Sequence, residues 1–213
     1  MFRSSRARSV ALVAALAASL AAGLHAQTAP SGSGVRDTTQ WPGHYPYTRA
    51  DVDFVTGMIA HHAQAVLMAG WAPDRAMDPS VKTLCARIIN AQTDEINLMQ
   101  EWLRERHQPV PEPDPYGMKM NMGGAEHVML MPGMLTGVEL DSLKAARGYE
   151  FDRRFLHFMI RHHQGAVAMV QQLFASPGAG QDEWIFKFAS DVNTDQSTEI
   201  VRMQKMLLLL QGK

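Results

Sequence analysis

The chain has one cysteine, Cys85, among 213 residues. That excludes an internal disulfide framework and any site built from several thiolates. A lone thiol of this kind reads as a small buried hydrophobe. Charge of either sign is also sparse, with 20 Lys+Arg against 21 Asp+Glu and 19% charged residues. The balance of −1, with no basic block after the first ten residues, argues against a nucleic-acid binder and a disordered polyelectrolyte. There is no Gly-x-Ser-x-Gly, no His-Glu-x-x-His and no phosphate-cradling glycine loop, so hydrolytic chemistry finds no support. What the chain does have in quantity is methionine and histidine, 15 and 9 residues respectively.

Arg3, Arg6 and Arg8 precede an apolar run from Val10 to Leu24, followed by His25 and Ala26. The run is 15 residues, short for a membrane span, and no twin-arginine pair precedes it. The pattern predicts a secretory signal over 1–26 with cleavage after Ala26, hence export and no stable membrane insertion afterwards. Residues 27–47, including Pro30-Ser31-Gly32-Ser33-Gly34, read as a flexible leader. Residues 48–211 then suffice for one domain with one core.

That domain is an internal duplication. Phe54-Val55-Thr56-Gly57-Met58-Ile59-Ala60-His61-His62 aligns with Phe155-Leu156-His157-Phe158-Met159-Ile160-Arg161-His162-His163 at an offset of 101. The match runs on through Ala65/Ala166, Val66/Val167 and Met68/Met169, and upstream Asp51 pairs with Asp152. A second block, Gln92-Thr93-Asp94-Glu95-Ile96 with Met99, Gln100 and Leu103, repeats at an offset of 104 as Gln196-Ser197-Thr198-Glu199-Ile200 with Met203, Gln204 and Leu207. Two blocks in the same order mark a repeated unit.

Each block has helical spacing, and helix-start signals bracket them. Thr48 with Asp51, and Thr136 with Glu139, form capping-box patterns. Asp78-Pro79 supplies an N-cap and a proline at the first helical position. Gly148 marks a break before the third long helix, and residues 176–180 read as the loop before the fourth. No convincing alternating strand pattern is found. The expected fold is all-α, a four-helix bundle built from two duplicated helical hairpins.

At 100° per residue, Asp51, Phe54, Met58, His61, His62, Ala65 and Met68 share one arc of about 120°. The third helix places Asp152, Phe155, Met159, His162, His163, Ala166 and Met169 the same way. Glu95 sits amid Leu84, Ile88, Met99 and Trp102, and Glu199 amid Ile185, Phe188, Val192, Met203 and Met206. The bundle interior should therefore hold two Met-x-x-His-His units and two carboxylates. Buried imidazole and carboxylate are costly without partners. One reading is a structural network in which the histidines donate to Glu95 and Glu199. The other is metal ligation, which the recurrence of paired histidines with nearby methionines favours. Asp51, Asp152, Glu95 and Glu199 then count as supporting residues or further ligands.

Between the halves, 117–134 is a methionine-rich connector: Met118, Met120, Met122, His127, Met129, Met131 and Met134, interrupted by Gly117, Gly123, Gly124, Pro132 and Gly133. Six methionines in 17 residues among helix breakers are poorly explained as helical core. In an extended segment Met118, Met120 and Met122 point the same way and offer three thioethers to one ion. Thioether is a soft, neutral donor suited to Cu(I) or Ag(I). The alternative is a loop that packs its methionines on the bundle or on a partner.

The repeated Phe-x-x-x-Met-Ile-x-His-His unit, the Glu-Ile-x-x-Met-Gln unit, and Met131-Pro132-Gly133-Met134 ahead of the third helix together resemble the domain-of-unknown-function 305 family, the CopM-like proteins with a ferritin-like four-helix bundle. The resemblance covers about 48–211. It implies an exported protein that binds copper, chiefly Cu(I) with Ag(I) as surrogate or Cu(II), in copper tolerance or trafficking. Its candidate ligands would be Met58, His61, His62, Met68, Met159, His162, His163 and Met169. The expected partners are metal ions, with a second copy of the chain or a copper-trafficking protein as candidates, and the expected action is capture rather than turnover. The enzyme rival is a di-iron or di-manganese carboxylate oxidase, which needs Glu-x-x-His on two helices. That motif occurs nowhere here, since Met58 and Met159 stand where the glutamates would. A third reading is a metal-free helical interaction module that uses its methionine loop as a contact surface.

Overall fold

The computed structural model describes residues 46–122 and 125–212, with the side chains of 120–126 outside the description. The signal over 1–26 and nearly all of the leader over 27–47 lie outside the described residues.

Six helices and one small hairpin follow in order: α1 (Arg49–Ala69), α2 (Ala72–Arg75), α3 (Pro79–Glu105), β1 (Met118–Met122), β2 (Ala125–Met129), α4 (Gly137–Ala145), α5 (Gly148–Ala175) and α6 (Glu183–Leu210). The four long helices are the two expected hairpins, with α1 packed on α3 and α5 on α6, and α1 and α5 join the pairs. The helix starts follow the local chemistry. Thr48 and Thr136 each form a full capping box, with Asp51 and Glu139 reaching back to the cap amide. Asp78 caps α3 ahead of Pro79, and Asp182 caps α6 by accepting from the Ile185 amide. Gly148 opens α5 at φ +62°, a left-handed conformation that glycine adopts without a Cβ penalty.

The hairpins lock end to end through a reciprocal clamp. The Asp51 carboxylate at the start of α1 accepts from the Gly180 amide, in the loop after α5, at 2.8 Å. The equivalent Asp152 at the start of α5 accepts from the Met77 and Asp78 amides, in the loop after α1, at 3.2 and 2.8 Å. Each hairpin's first helix therefore holds the other hairpin's loop, and α1 and α5 run antiparallel.

The connector departs from the all-helical expectation in a small way. The strands β1 and β2 pair antiparallel, with Met118 opposite Met129 and Met120 opposite His127. The connector's sequence shows no clear apolar alternation, and Lys119, His127 and Val128 are exposed. Among the described residues, no helix is long and apolar enough to cross a membrane.

The core divides into two apolar clusters. One gathers Val55, Met58, Met99, Trp102, Leu173, Ile185 and their neighbours. The other gathers Met68, Leu84, Ile88, Phe155, Met159, Met203 and theirs. On α1 the first cluster ends at Ala63 and the second begins at Ala65. The boundary falls between Ile88 and Ile96 on α3, between Met159 and Ala166 on α5, and between Val192 and Met203 on α6. Within a turn of this boundary lie polar residues from all four long helices: His61, His62, Gln92, Glu95, His162, His163, Gln196 and Glu199. A transverse polar layer therefore splits the bundle's oil in two.

Candidate metal centre

Four histidines in the layer are fully buried, each at 0% exposure. His61 and His162 meet across the α1–α5 contact with ring centroids 3.8 Å apart and ring planes tilted by 36°. Each is flanked on its own helix by its neighbour, His62 at 6.2 Å and His163 at 6.4 Å between centroids. His62 Nε2 donates to Glu95 at 2.7 Å, and His163 Nε2 donates to Glu199 at 2.9 Å. The array is thus two-fold in pattern: carboxylate, imidazole, imidazole, then the same in reverse. The structural network anticipated from the sequence is present in its outer members. Only the two glutamates reach partial exposure, at 20% and 17% of the side chain.

Burial disfavours the charged form of His61, His162 and His163. The His61 pKa falls to about 3, chiefly through desolvation and then through the charges of His62 and His163. His162 is held well below its ordinary value, again by burial first and by the neighbouring rings second. His163 is lowered by burial, with Glu199 opposing the shift.

The connector closes one side of this layer. Met131-Pro132-Gly133-Met134 is a tight turn, with the Met134 amide donating to the Met131 carbonyl at 3.1 Å and Gly133 at φ +79°. Proline at the second position and glycine at the third are what a type II turn requires. The Pro132 carbonyl accepts from His61 Nε2 at 3.1 Å. The turn comes this close because α5 has glycine at 165: a Cβ there would meet the Pro132 oxygen at 1.9 Å. Over Gly57, one turn before His61, the Met131 thioether and the Met169 methyl converge, at 2.8 and 3.4 Å from where a Cβ would stand. Gln64 anchors the connector on both sides, donating to the Pro115 and Leu135 carbonyls and accepting from the Leu135 amide at 2.6 Å. The repeat is broken at these positions, where Gly57 answers Phe158 and Gln64 answers Gly165.

Hydrogen bonding in the layer is lopsided. Seven buried polar atoms have no partner: Nδ1 of His61, His62 and His163, both nitrogens of His162, and the amide oxygens of Gln92 and Gln196. In their neutral forms His61, His62 and His163 spend their N–H on Pro132, Glu95 and Glu199, and each then leaves a bare Nδ1 lone pair. A neutral His162 adds one lone pair and one N–H. The unpaired set therefore counts six lone-pair atoms against a single N–H. Such a surplus calls for a Lewis acid or for hydrogen-bond donors. The carboxylate behind His62 and His163 is also the arrangement that orients a metal-ligating imidazole and raises its basicity.

Other candidate residues are distributed differently. Met58 and Met159 flank the layer from opposite apolar clusters, and Met68 and Met169 lie deeper in them. Met131 is half-buried and Met134 buried, its sulfur accepting from the Met131 amide at 3.3 Å. Met118 is half-buried beside the exposed Met129, and His127 is exposed. The thioethers of Met120 and Met122 lie outside the described side chains. Asp51 and Asp152 are ten residues, or about 15 Å of helix, from the His61–His162 pair and are spent on loop amides. The structure does not bring them to the layer. Among the described residues no three of His, Cys, Asp and Glu gather into a group fit to hold an ion. An ion in the layer would therefore draw on other donors too. Gln92 and Gln196 were visible in the repeat but carried no chemical signal of their own.

Comparison with known proteins places this arrangement. The chain is 28% identical to a DUF305 protein from Streptomyces coelicolor, covering 76% of this chain and 93% of that one, with a TM-score of 0.63. It is 29% identical to CopM in a Cu(I)-bound form, over 81% of this chain and 99% of that chain, with a TM-score of 0.58. A sequence match of 43% identity over 56 residues links it to uncharacterized protein L153 of Acanthamoeba polyphaga mimivirus; the match spans 37% of that relative's length. The profile described as Domain of unknown function (DUF305) matches residues 51–207, and the chain belongs to that family.

Proposed function

We propose that this protein is an exported copper-binding protein that captures the metal for sequestration, tolerance or trafficking. The carrying observation is the buried layer in which seven polar atoms of four histidines and two glutamines lack a hydrogen-bond partner. A plain bundle has no use for such a set, and a cation relieves it. CopM, a structural neighbour, has been solved in Cu(I)-, Cu(II)- and Ag-bound forms. A metal-handling role is the reading common to these relatives and to the donor set.

The donors fall into two kinds. Thioethers of the connector and of Met58, Met68, Met159 and Met169 suit Cu(I) and Ag(I). Imidazoles of His61, His62, His162 and His163 suit copper in either state. Capture rather than turnover is the proposed action: the connector collects soft cations, and the layer holds the metal out of water. Glu95 and Glu199 orient His62 and His163. A carboxylate oxidase is the weaker reading, because both glutamates already serve histidines and no carboxylate-rich group is assembled among the described residues. The predicted signal over 1–26 carries the proposal of export, and the Streptomyces coelicolor relative is described as secreted.

Competitive Cu(I) titration tests the reading. It is run on the protein, on a variant with the six connector methionines changed to Leu, and on one with His61, His62, His162 and His163 changed to Ala. Each variant should lose part of the binding. Equal binding by all three would refute the site, and tight iron with an oxo-bridge absorption band would favour the oxidase.

A further inference from the structure

Gln92 and Gln196 occupy equivalent places in the two copies of the repeat and are 3% and 4% exposed. Each lies one helical turn before the glutamate of its own helix, on the same side. Both amide oxygens lack a partner. Leaving a buried acceptor unpaired is costly, so a core of this kind gains by placing Leu or Met there. Instead both copies carry the same amide, within a layer already rich in bare lone pairs. No three imidazoles or carboxylates gather on one point among the described residues. An ion in the layer must complete its shell with something else.

Cu(I) takes few donors and prefers sulfur, whereas Cu(II) takes a tetragonal set of nitrogen and oxygen donors that admits water. We propose that Gln92 and Gln196 set the buried layer's preference for Cu(II), their amide oxygens accepting hydrogen bonds from water carried on the ion. Water on a cation is a strong donor, and the two amides are acceptors sealed from any other. The layer is then the site for the oxidised ion, while the connector's thioethers take the reduced one. This inference rests on the proposed copper reading and assigns an oxidation state to one of its two donor sets.

The test uses Gln92→Leu, Gln196→Leu and the double variant, with Cu(II) and Cu(I) dissociation constants measured separately by competition. Cu(II) affinity should fall at least tenfold in the double variant, while Cu(I) affinity changes less than threefold. The electron paramagnetic resonance spectrum of the Cu(II) form should shift between parent and variant. Should a Leu variant fail to fold, Gln92→Met and Gln196→Met keep the unbranched shape and read the same ratio. Parallel losses for both ions, or no loss for either, overturn the inference and leave copper binding standing. Absence of copper binding by the parent itself overturns both.

Discussion

His61 and His162 face each other at 3.8 Å between ring centroids, tilted by 36°, both fully buried between two apolar clusters. Two imidazoles at that distance, both neutral, are a liability to the metal-free protein. Changing both to Leu should raise the thermal midpoint of the metal-free protein, because unpaired polar atoms are exchanged for apolar contact. The same change should abolish the imidazole part of copper binding. A calorimetric scan beside a copper titration checks both outcomes.

Acid should unfold the metal-free protein from well above the carboxylate range. His61 titrates near 3 folded and near 6.5 unfolded, so between these values the unfolded state binds the extra proton. Stability is thus fully present above about 6.5 and is lost as pH falls toward about 3. Each such histidine removes about 1.4 kcal/mol per pH unit in that window. His162 and His163 are lowered in the same sense and steepen the loss. Denaturant midpoints between pH 7.5 and 4.5 measure it, and a flat profile would contradict the buried neutral rings.

Gly165→Ala should displace the Met131–Met134 turn, since its Cβ would stand 1.9 Å from the Pro132 oxygen and 2.8 Å from the Gly133 Cα. Backbone on both sides leaves no flexible atom to give way. The expected loss is about 1–3 kcal/mol, with a change in the His61 ring resonances as its Pro132 acceptor moves. Thermal melts and imidazole chemical shifts report the two effects.

Asp51→Asn and Asp152→Asn should destabilise the protein by comparable amounts, about 1–3 kcal/mol each, because each carboxylate holds the opposite hairpin's loop amides. Copper affinity should be unchanged in both. A variant that lost copper without losing stability would show that the aspartates belong to the metal site after all.

Asp182→Ala should be more damaging, by about 3–5 kcal/mol. Its carboxylate pairs at 2.7 Å with the buried Arg106 and accepts from Trp102 Nε1 at 3.4 Å, while also capping α6. The substitution strands a guanidinium stacked on Trp102 at 4.4 Å. Urea unfolding measures the loss.

Much of the fold was legible because its signals are local. Thr48 with Asp51, Asp78 with Pro79, and Thr136 with Glu139 each place a helix start through a bond spanning a few residues. The duplication placed the histidines and glutamates on core faces, since a helical period fixes the side of the helix without reference to a partner. The β-hairpin was less legible. Its alternation is polar as often as apolar, and its pairing depends on contacts between the two strands that no period announces.

Sequence alone therefore determined the helices, their number of copies and the inward direction of two His-His pairs, because each depends on spacing within one segment. Tertiary structure decided which ring meets which, that Asp51 and Asp152 serve the opposite hairpin's loops, and that Gln92 and Gln196 enter the polar layer. It also decided that Gly165 exists to admit Pro132. These are relations between residues from 33 to 129 positions apart. They follow from how helices pack against one another, which no single helix records.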